Sequence, residues 1–368
     1  MSKILELLDS ILAAMVREGA SDIYLRADSP PYFRIEGDLV AVEVAIFTEE
    51  MMENLKNALL KPVDIEAFKN RPEGNITYFK PGLGRFRANI YLQRGTVAIV
   101  MRKIRDDILE FTTLGLPPVC EKLALMRSGM VLVTGPTGSG KSTTLAAMVK
   151  YRNEKSSGHI ITIEDPIEFV HADINCIVSQ REVGNDTLSF KDALESAVRQ
   201  APDVLLVGEM RDVESCKAAV YFAETGHLVL GTLHSNNTIQ TVERILQFFP
   251  SAQHDQILSQ LSINLKAVVS QRLLQNKDGK GRSLAVEIMI VNTRIAENLV
   301  KGELNQIRKE LDQFAPEGMV SFDTSLIEHY KNGIITMEQC MKNSDNPTDM
   351  RLKLKTLPVY IRSSGREE

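Results

Sequence analysis

The sequence has 368 residues, 43% hydrophobic and 25% charged, with a net charge of −5. These figures describe an ordinary globular chain of about two domains and disfavour a nucleic-acid polymer as its main partner. No apolar run approaches the ~20 residues of a membrane span, and Cys120, Cys176, Cys216 and Cys340 form no C-x-x-C pair, a usage that fits reduced thiols in the cytoplasm.

Residues 1–105 read as one small α+β domain. The first helix, 4–17, is amphipathic, with Leu5, Leu8, Leu12 and Met15 on one stripe and Gly19 placed to cap it. Glu6 and Asp9 interrupt the apolar run and no small-residue cleavage site follows, which argues against a signal peptide. Short β-like runs follow at 22–25 and 32–35. A second helix lies near 49–60, and strands follow at 75–79, 84–91 and 96–101. The last pair of strands and its flanks carry Arg85, Arg87, Arg94, Arg102 and Arg105, with no acidic residue between Arg85 and Arg105. Such a cluster is either the solvated face of a sheet or a set of fingers that reach a phosphate, and the sequence leaves both open. Residues 106–118 read as a linker, with Leu116-Pro117-Pro118 disfavouring helix.

From Val119 strands and helices alternate, the pattern of a parallel sheet with crossover helices, and this domain is expected to run to 344. Its anchor is 135–144, GPTGSGKSTT, which fills every fixed position of the phosphate-binding loop G-x-x-x-x-G-K-[S/T]. Gly135, Gly138 and Gly140 let backbone N–H groups converge on a polyphosphate, with Pro136, Thr137, Ser139 and Thr143 completing the loop. Lys141 supplies a cation to the β- and γ-phosphates, and Ser142 offers a hydroxyl to Mg²⁺. A buried strand, 130–134, precedes the loop and a helix follows it, so a helix N-terminus points at the anion. The expected ligand is a nucleoside triphosphate.

Further strands are expected at 159–163, 203–208, 228–233 and 283–291. Helices are expected at 189–201 and 213–224, and a long one at 252–274 with Leu258, Leu261, Leu265 and Val268 on one stripe. Residues 345–368, with Pro347, Pro358 and a Ser-Ser-Gly run, read as a partly disordered tail.

Glu164 and Glu209 each follow an apolar strand, at the strand ends where an open parallel sheet places its ligand. Two carboxylates beside one triphosphate suit two jobs: one holds Mg²⁺ or its water, the other orients or deprotonates the attacking water. His234 ends a strand on the same rim and reads as a phosphate or neighbour-subunit contact. His227 lies at the other end of that strand and reads as structural or as an interface sensor. No His pairs with Cys at metal-ligand spacing.

Four segments together resemble the secretion ATPases: the Walker A loop at 135–144, ITIEDPIE at 161–168, LVGEMRD at 206–212 and TGHLVLGTLH at 225–234. GASDI at 19–23 and GRFR at 84–87 extend the resemblance to the first domain. Within that superfamily the chain is similar to the type IV pilus retraction ATPases, the PilT/PilU family. It is closer to the PilU type, because 293–300, TRIAENLV, departs from the PilT-type A-I-R-N-L-I helix and NPTDMRLKL at 346–354 resembles a PilU C-terminus.

The resemblance implies an α/β chain, a RecA-like P-loop NTPase domain behind a small N-terminal α+β, PAS-like domain. It implies ATP and Mg²⁺ as cofactors, with Ser142 and Glu209 toward the metal. Glu164 would activate water, the two carboxylates being exchangeable in role, and Arg87 and Arg102 would reach the nucleotide, with Arg85, Arg94 and Arg105 less directly indicated. It further implies a homo-hexamer at the cytoplasmic, inner-membrane base of a pilus, working with a PilT-type motor and the inner-membrane platform protein. The alternatives left open are a ring that binds ATP and couples to such a motor without output of its own, and a related type II or type IV secretion ATPase. A DNA-acting RecA-like enzyme is disfavoured by the acidic charge and the lack of a basic, aromatic face.

Overall fold

Alternation of buried and exposed residues along Gly84–Gln93 makes it a half-buried strand, while Val97, Ala98 and Ile99 of Thr96–Lys103 are buried in succession. The computed structural model describes residues 2–35, 37–44, 46–104, 107–311 and 318–356. It divides into two compact units, Met1–Asp107 with Glu168–Val170, and Ile108–Ile167 with His171–Glu368.

In the first unit β1 (Asp22–Arg26), β2 (Tyr32–Ile35), β3 (Asp38–Ala41), β4 (Glu73–Lys80), β5 (Gly84–Gln93) and β6 (Thr96–Lys103) form a sheet ordered β3-β2-β1-β6-β5-β4. Every pairing in it is antiparallel. The helix Ser2–Arg17 lays Leu8, Leu12 and Met15 of its apolar stripe, with Ile11, into the core. Met52 and Leu55 of the helix Glu49–Leu59 join them, against Ile23, Phe86, Ile90, Ile99 and Met101 of the sheet. Two elements carried too little apolar signal to be predicted: β3, exposed along its length, and the helix Pro62–Asn70.

The second unit contains β7 (Gly129–Thr134), β8 (Gly158–Glu164), β9 (Cys176–Glu182), β10 (Val204–Val207), β11 (Leu228–Leu233), β12 (Leu265–Gln275) and β13 (Arg282–Ile290), ordered β13-β12-β7-β11-β10-β8-β9. All neighbours are parallel except β12 and β13. Strand β7 is apolar without alternation up to Thr134 because both its faces are covered. Met130 and Leu132 pack into one cluster with the helices Val213–Glu224 and His254–Asn264. Val131 and Val133 pack into another with the helix Lys141–Lys155. The four cysteines are free and buried.

Three expectations are corrected. The single helix expected over 252–274 is a helix, His254–Asn264, that runs directly into β12. Leu258 and Leu261 on the helix and Leu265 and Val268 on the strand all enter the same core cluster, so one stripe spans two elements. Ala267, Val268 and Val269 then alternate between the sheet's two faces while pairing with β7 and β13. The segment read as a linker contains a helical turn, Phe111–Leu114, held in the second unit by Phe111 packed edge-on against Tyr151 at 5.2 Å. The tail is ordered over Pro347–Lys355, a helix capped by Asn346 that buries Met350 and Leu354 against Phe322, Leu326 and Tyr330. Its remainder, 357–368, lies outside the described residues, as does Arg105.

Candidate nucleotide site

The phosphate loop leaves the buried end of β7 and is shaped by close approach. A Cβ on Gly135, at φ 147°, would lie 2.5 Å from both the Gln271 carbonyl and Ser139 Oγ, so only glycine fits. Gly140, at φ 91°, turns the chain into the helix Lys141–Lys155 and leaves that helix's first N–H groups facing the loop. Lys141 Nζ donates to the carbonyls of Gly135 at 2.9 Å and Pro136 at 3.1 Å, which holds the ammonium over the loop. Behind it Gln271 donates to Thr144 Oγ1 at 2.6 Å, and Thr134 and Ser270 share a hydrogen bond of 2.7 Å.

Two acidic strand ends lie beside each other. Gly208, which follows β10, donates its N–H to the Ile163 carbonyl at 2.8 Å. A Cβ on it would sit 3.2 Å from Glu164 Cα. Glu164 Oε1 accepts from Thr162 Oγ1 at 2.7 Å and Gln180 Nε2 at 3.2 Å. Glu209 lies 2.7 Å from Arg211 Nη2 and 3.3 Å from His234 Nε2, while Arg211 Nη1 is 3.5 Å from Asp165. Burial pushes the His234 imidazolium down, the Lys141 charge adds to this, and Glu209 opposes it. The ring therefore stays neutral near pH 7. Arg211 is driven the other way by its hydrogen bond to Glu209. Lys141, Glu209, Arg211 and His234 are thus one electrostatic cluster, and Glu164 sits next to it in the sheet.

Arg211 and Gln180 complete this rim and were not singled out in the sequence. Arg211 was readable, since it stands two residues past Glu209 beyond a strand. Gln180 was not, because its place depends on β9 pairing with β8, which sets Gln180 opposite Thr162. His227 lies away from this rim, at the start of β11, with Nδ1 3.0 Å from Thr225 Oγ1 and its ring edge-on to Phe222.

The first unit brings Arg87 and Arg102 together as opposed residues of β5 and β6. The row continues to Asp22 on β1 and Arg34 on β2. Asp22 is 2% exposed and takes Arg102 Nε at 2.7 Å, with Arg34 Nε at 4.0 Å. One buried carboxylate therefore serves two of the row's three guanidinium groups, those of Arg102 and Arg34, and Arg87 stays exposed. Arg85 instead lies over the Phe79 ring at 5.4 Å, and Arg94 sits in the hairpin turn.

Among the described residues no three His, Cys, Asp or Glu side chains gather to hold a metal ion, and no helix is long and apolar enough to cross a membrane. The Ser142 hydroxyl and the Glu209 carboxylate are hard oxygen donors of the kind Mg²⁺ takes alongside phosphate oxygens and water.

The profile of the family described as "Type II/IV secretion system protein" matches residues 1–318. The type IV pilus ATPase PilU of Pseudomonas aeruginosa is 42% identical over 348 residues, covering 94% of this chain and 91% of that protein. The chain belongs to the type II/IV secretion ATPase family, in its PilT/PilU branch. The type IV pilus retraction ATPase PilT of the same organism is 39% identical, over 92% of this secretion ATPase and 98% of PilT. A crystal structure of the pilus retraction motor PilT with bound ADP superposes with a TM-score of 0.86 at 42% identity, covering 93% of this chain and 98% of that one. The legionella ATPase DotB superposes at 0.80 with 25% identity, covering 95% of both chains. The RecA-like P-loop domain behind an N-terminal α+β domain and the assignment as a secretion ATPase follow from these relationships.

Proposed function

We propose that this secretion ATPase hydrolyses ATP to power or assist type IV pilus retraction. The observation that carries the reading is the cluster of Lys141, Glu209, Arg211 and His234 on the rim of the phosphate loop, in a chain similar over nearly its whole length to PilU and PilT. The loop 135–143 cradles the phosphates through its backbone N–H groups, Pro136 having none, and Lys141 leaves its loop carbonyls for the β- and γ-phosphates. Ser142 and Glu209 would hold Mg²⁺, which when bound neutralises charge on the phosphate oxygens. Glu164, oriented by Thr162 and Gln180, takes a proton from the attacking water or fixes its lone pair toward phosphorus. Neutral His234, its Nε2 3.3 Å from Glu209, stands at the phosphate edge. Arg87 and Arg102 supply positive charge to the γ-phosphate as it departs, from this chain's or a neighbour's first unit.

This use of the arginines fits a homo-hexameric ring in the cytoplasm at the inner-membrane base of the pilus. Its partners there would be a PilT-type motor and the membrane platform protein. The similarity to PilU favours assistance to another motor over solitary work. The test is steady-state ATP hydrolysis and solution mass for the purified chain beside Glu164→Gln and Arg102→Ala. A hexamer that turns over ATP, with both variants assembled and inactive, is the expected result. Wild-type turnover no faster than that of Glu164→Gln would sink the motor reading in favour of a coupling ring. Pilus retraction in cells carrying only Lys141→Ala here separates powering from assisting.

A further inference from the structure

A run of hydroxyls passes beneath the phosphate loop and ends beside His234. Thr134, the residue before Gly135, shares its 2.7 Å hydrogen bond with Ser270 of β12. Thr241, on the helix Thr238–Phe248, donates to Thr134 Oγ1 at 3.3 Å and to the Asn237 carbonyl at 2.8 Å. Ser235, the residue after His234, has its Oγ 2.7 Å from Thr241 Oγ1. Thr134, Thr241 and Ser270 are fully buried. A hydroxyl carries one proton. Thr241 directs its proton at Thr134 or at Asn237, so toward Ser235 it is the acceptor, and Ser235 donates.

Buried hydroxyls satisfy one another in many cores. Here the two ends of the run carry the argument: one is the root of the phosphate loop, the other the backbone next to the ring that faces Glu209. The His234 side chain is 45% exposed, so packing does not set its place, and Nε2 lies 3.3 Å from Glu209. The backbone on either side of it must do so. Before it, Leu233 of β11 pairs with Thr134 of β7. After it, Ser235 is tied to Thr241. Glu209 is already fixed from β11: Thr232 Oγ1 donates to the Gly208 carbonyl, and the Thr232 carbonyl accepts from the Met210 N–H at 2.9 Å. We infer that Thr241 is a positioning residue for ATP hydrolysis. Its hydroxyl sets the segment after His234 against the root of the phosphate loop, so loop and histidine keep one spacing through the reaction. Thr241 lies beneath the loop and acts through His234. Misplacement by about 1 Å at a reacting centre costs up to about 10²-fold in rate. The inference rests on the reading that places His234 at the phosphate edge.

The test measures kcat and KM for ATP, and ADP affinity, on the full chain. The variants are Thr241→Val, Thr241→Ser, Ser235→Ala, His234→Gln and the last combined with each of Thr241→Val and Ser235→Ala. Valine keeps the side chain's shape without the hydroxyl, and the Asn237 carbonyl still accepts from the Thr241 N–H at 3.1 Å, so the start of the helix stays in place. Thr241→Val should lower kcat by about tenfold, with KM and ADP affinity within about twofold of the parent. Thr241→Ser should return kcat to within about threefold. Ser235→Ala cuts the same bond from a half-buried residue and should reproduce the fall. In the His234→Gln background Thr241→Val should lower kcat by less than about twofold more, because residues acting as a unit are not additive. The proposal is overturned if either Thr241→Val or Ser235→Ala turns over as the parent does, if serine fails to restore the rate, if ADP affinity falls along with kcat, or if Thr241→Val keeps its full effect beside His234→Gln. A His234→Gln chain as fast as the parent refutes the placement of His234 itself, and this inference with it. Should Thr241→Val fail to fold, Ser235→Ala alone and beside His234→Gln decides by the same criteria.

Discussion

Glu209 lies between His234 Nε2, at 3.3 Å, and Arg211 Nη2, which donates to it at 2.7 Å. The His234 imidazolium is disfavoured chiefly by burial and next by Lys141. A histidine whose folded value lies below its usual ~6.5 is neutral at pH 7. On acidification the unfolded chain takes up the proton first, so this residue's contribution to stability falls as pH drops below ~6.5 and is lost once the lower folded value is passed. The pH–rate profile of ATP hydrolysis should therefore hold through ~6.5 and fall below it. His234→Gln should remove that acid limb, and a limb unchanged in this variant would assign the titration to another group.

Lys141 hovers over the loop on two backbone carbonyls. Lys141→Ala removes the cation without disturbing the core. It should lower turnover by about 10²-fold or more and weaken nucleotide binding, while the far-ultraviolet circular dichroism stays that of the parent.

Glu164 and Glu209 differ in their neighbours. Thr162 and Gln180 hydrogen-bond Glu164, whereas Arg211 and His234 engage Glu209. Glu164→Gln should cut turnover by about 10²–10⁴-fold with ATP still bound. Glu209→Gln should instead raise the Mg²⁺ concentration needed for half-maximal rate. Magnesium titrations of both variants decide the matter, and the opposite pattern would exchange their roles.

Arg87 and Arg102 should separate by stability. Removing Arg102 leaves buried Asp22 with the Ser21 hydroxyl at 2.6 Å and Arg34 at 4.0 Å as its side-chain partners. Since the Arg102 side chain is 69% exposed, solvent screening holds the cost of Arg102→Ala to about 1 kcal/mol. Arg87→Ala should leave stability within about 0.5 kcal/mol. Both should slow ATP hydrolysis, so urea unfolding paired with turnover distinguishes structural from electrostatic loss.

Glu287 is 5% exposed and accepts from Thr238 N–H at 2.9 Å, Thr238 Oγ1 at 2.8 Å and Phe322 N–H at 3.4 Å. Glu287→Ala strands these donors and should cost about 2–4 kcal/mol in chemical denaturation. Glu287→Gln keeps an acceptor oxygen and should cost distinctly less.

The readable parts of the sequence were those where chemistry and position coincide. Each fixed position of the phosphate loop needs one residue type, so the loop was legible. The helix Val213–Glu224 and β11 were legible to the residue, because Asp212 caps one end of the helix and Gly226 lies between them. Strand β9 was silent, as its Ser179-Gln-Arg-Glu182 run is polar and lies at a sheet edge. Gln180 and Gln271 were silent too, because each gains its role from a partner strand's register. Residues 265–274 were misread because a stripe at helical spacing passed from helix to strand while facing one cluster. The C-terminal helix was misread because Pro347 and polar neighbours outweighed Met350 and Leu354, the two side chains that anchor it.

The buried thiols make the protein a convenient optical reporter. Burial pushes Cys120, Cys216 and Cys340 up to about 12 and Cys176 also upward, so all four stay protonated and inert toward maleimide dyes at neutral pH. No cysteine-free background has to be built. Val63, 79% exposed in the first unit, and Leu188, 89% exposed in the second, offer one attachment point on each. Dyes placed through Val63→Cys and Leu188→Cys would turn any nucleotide-driven change in the distance between the units into an energy-transfer signal.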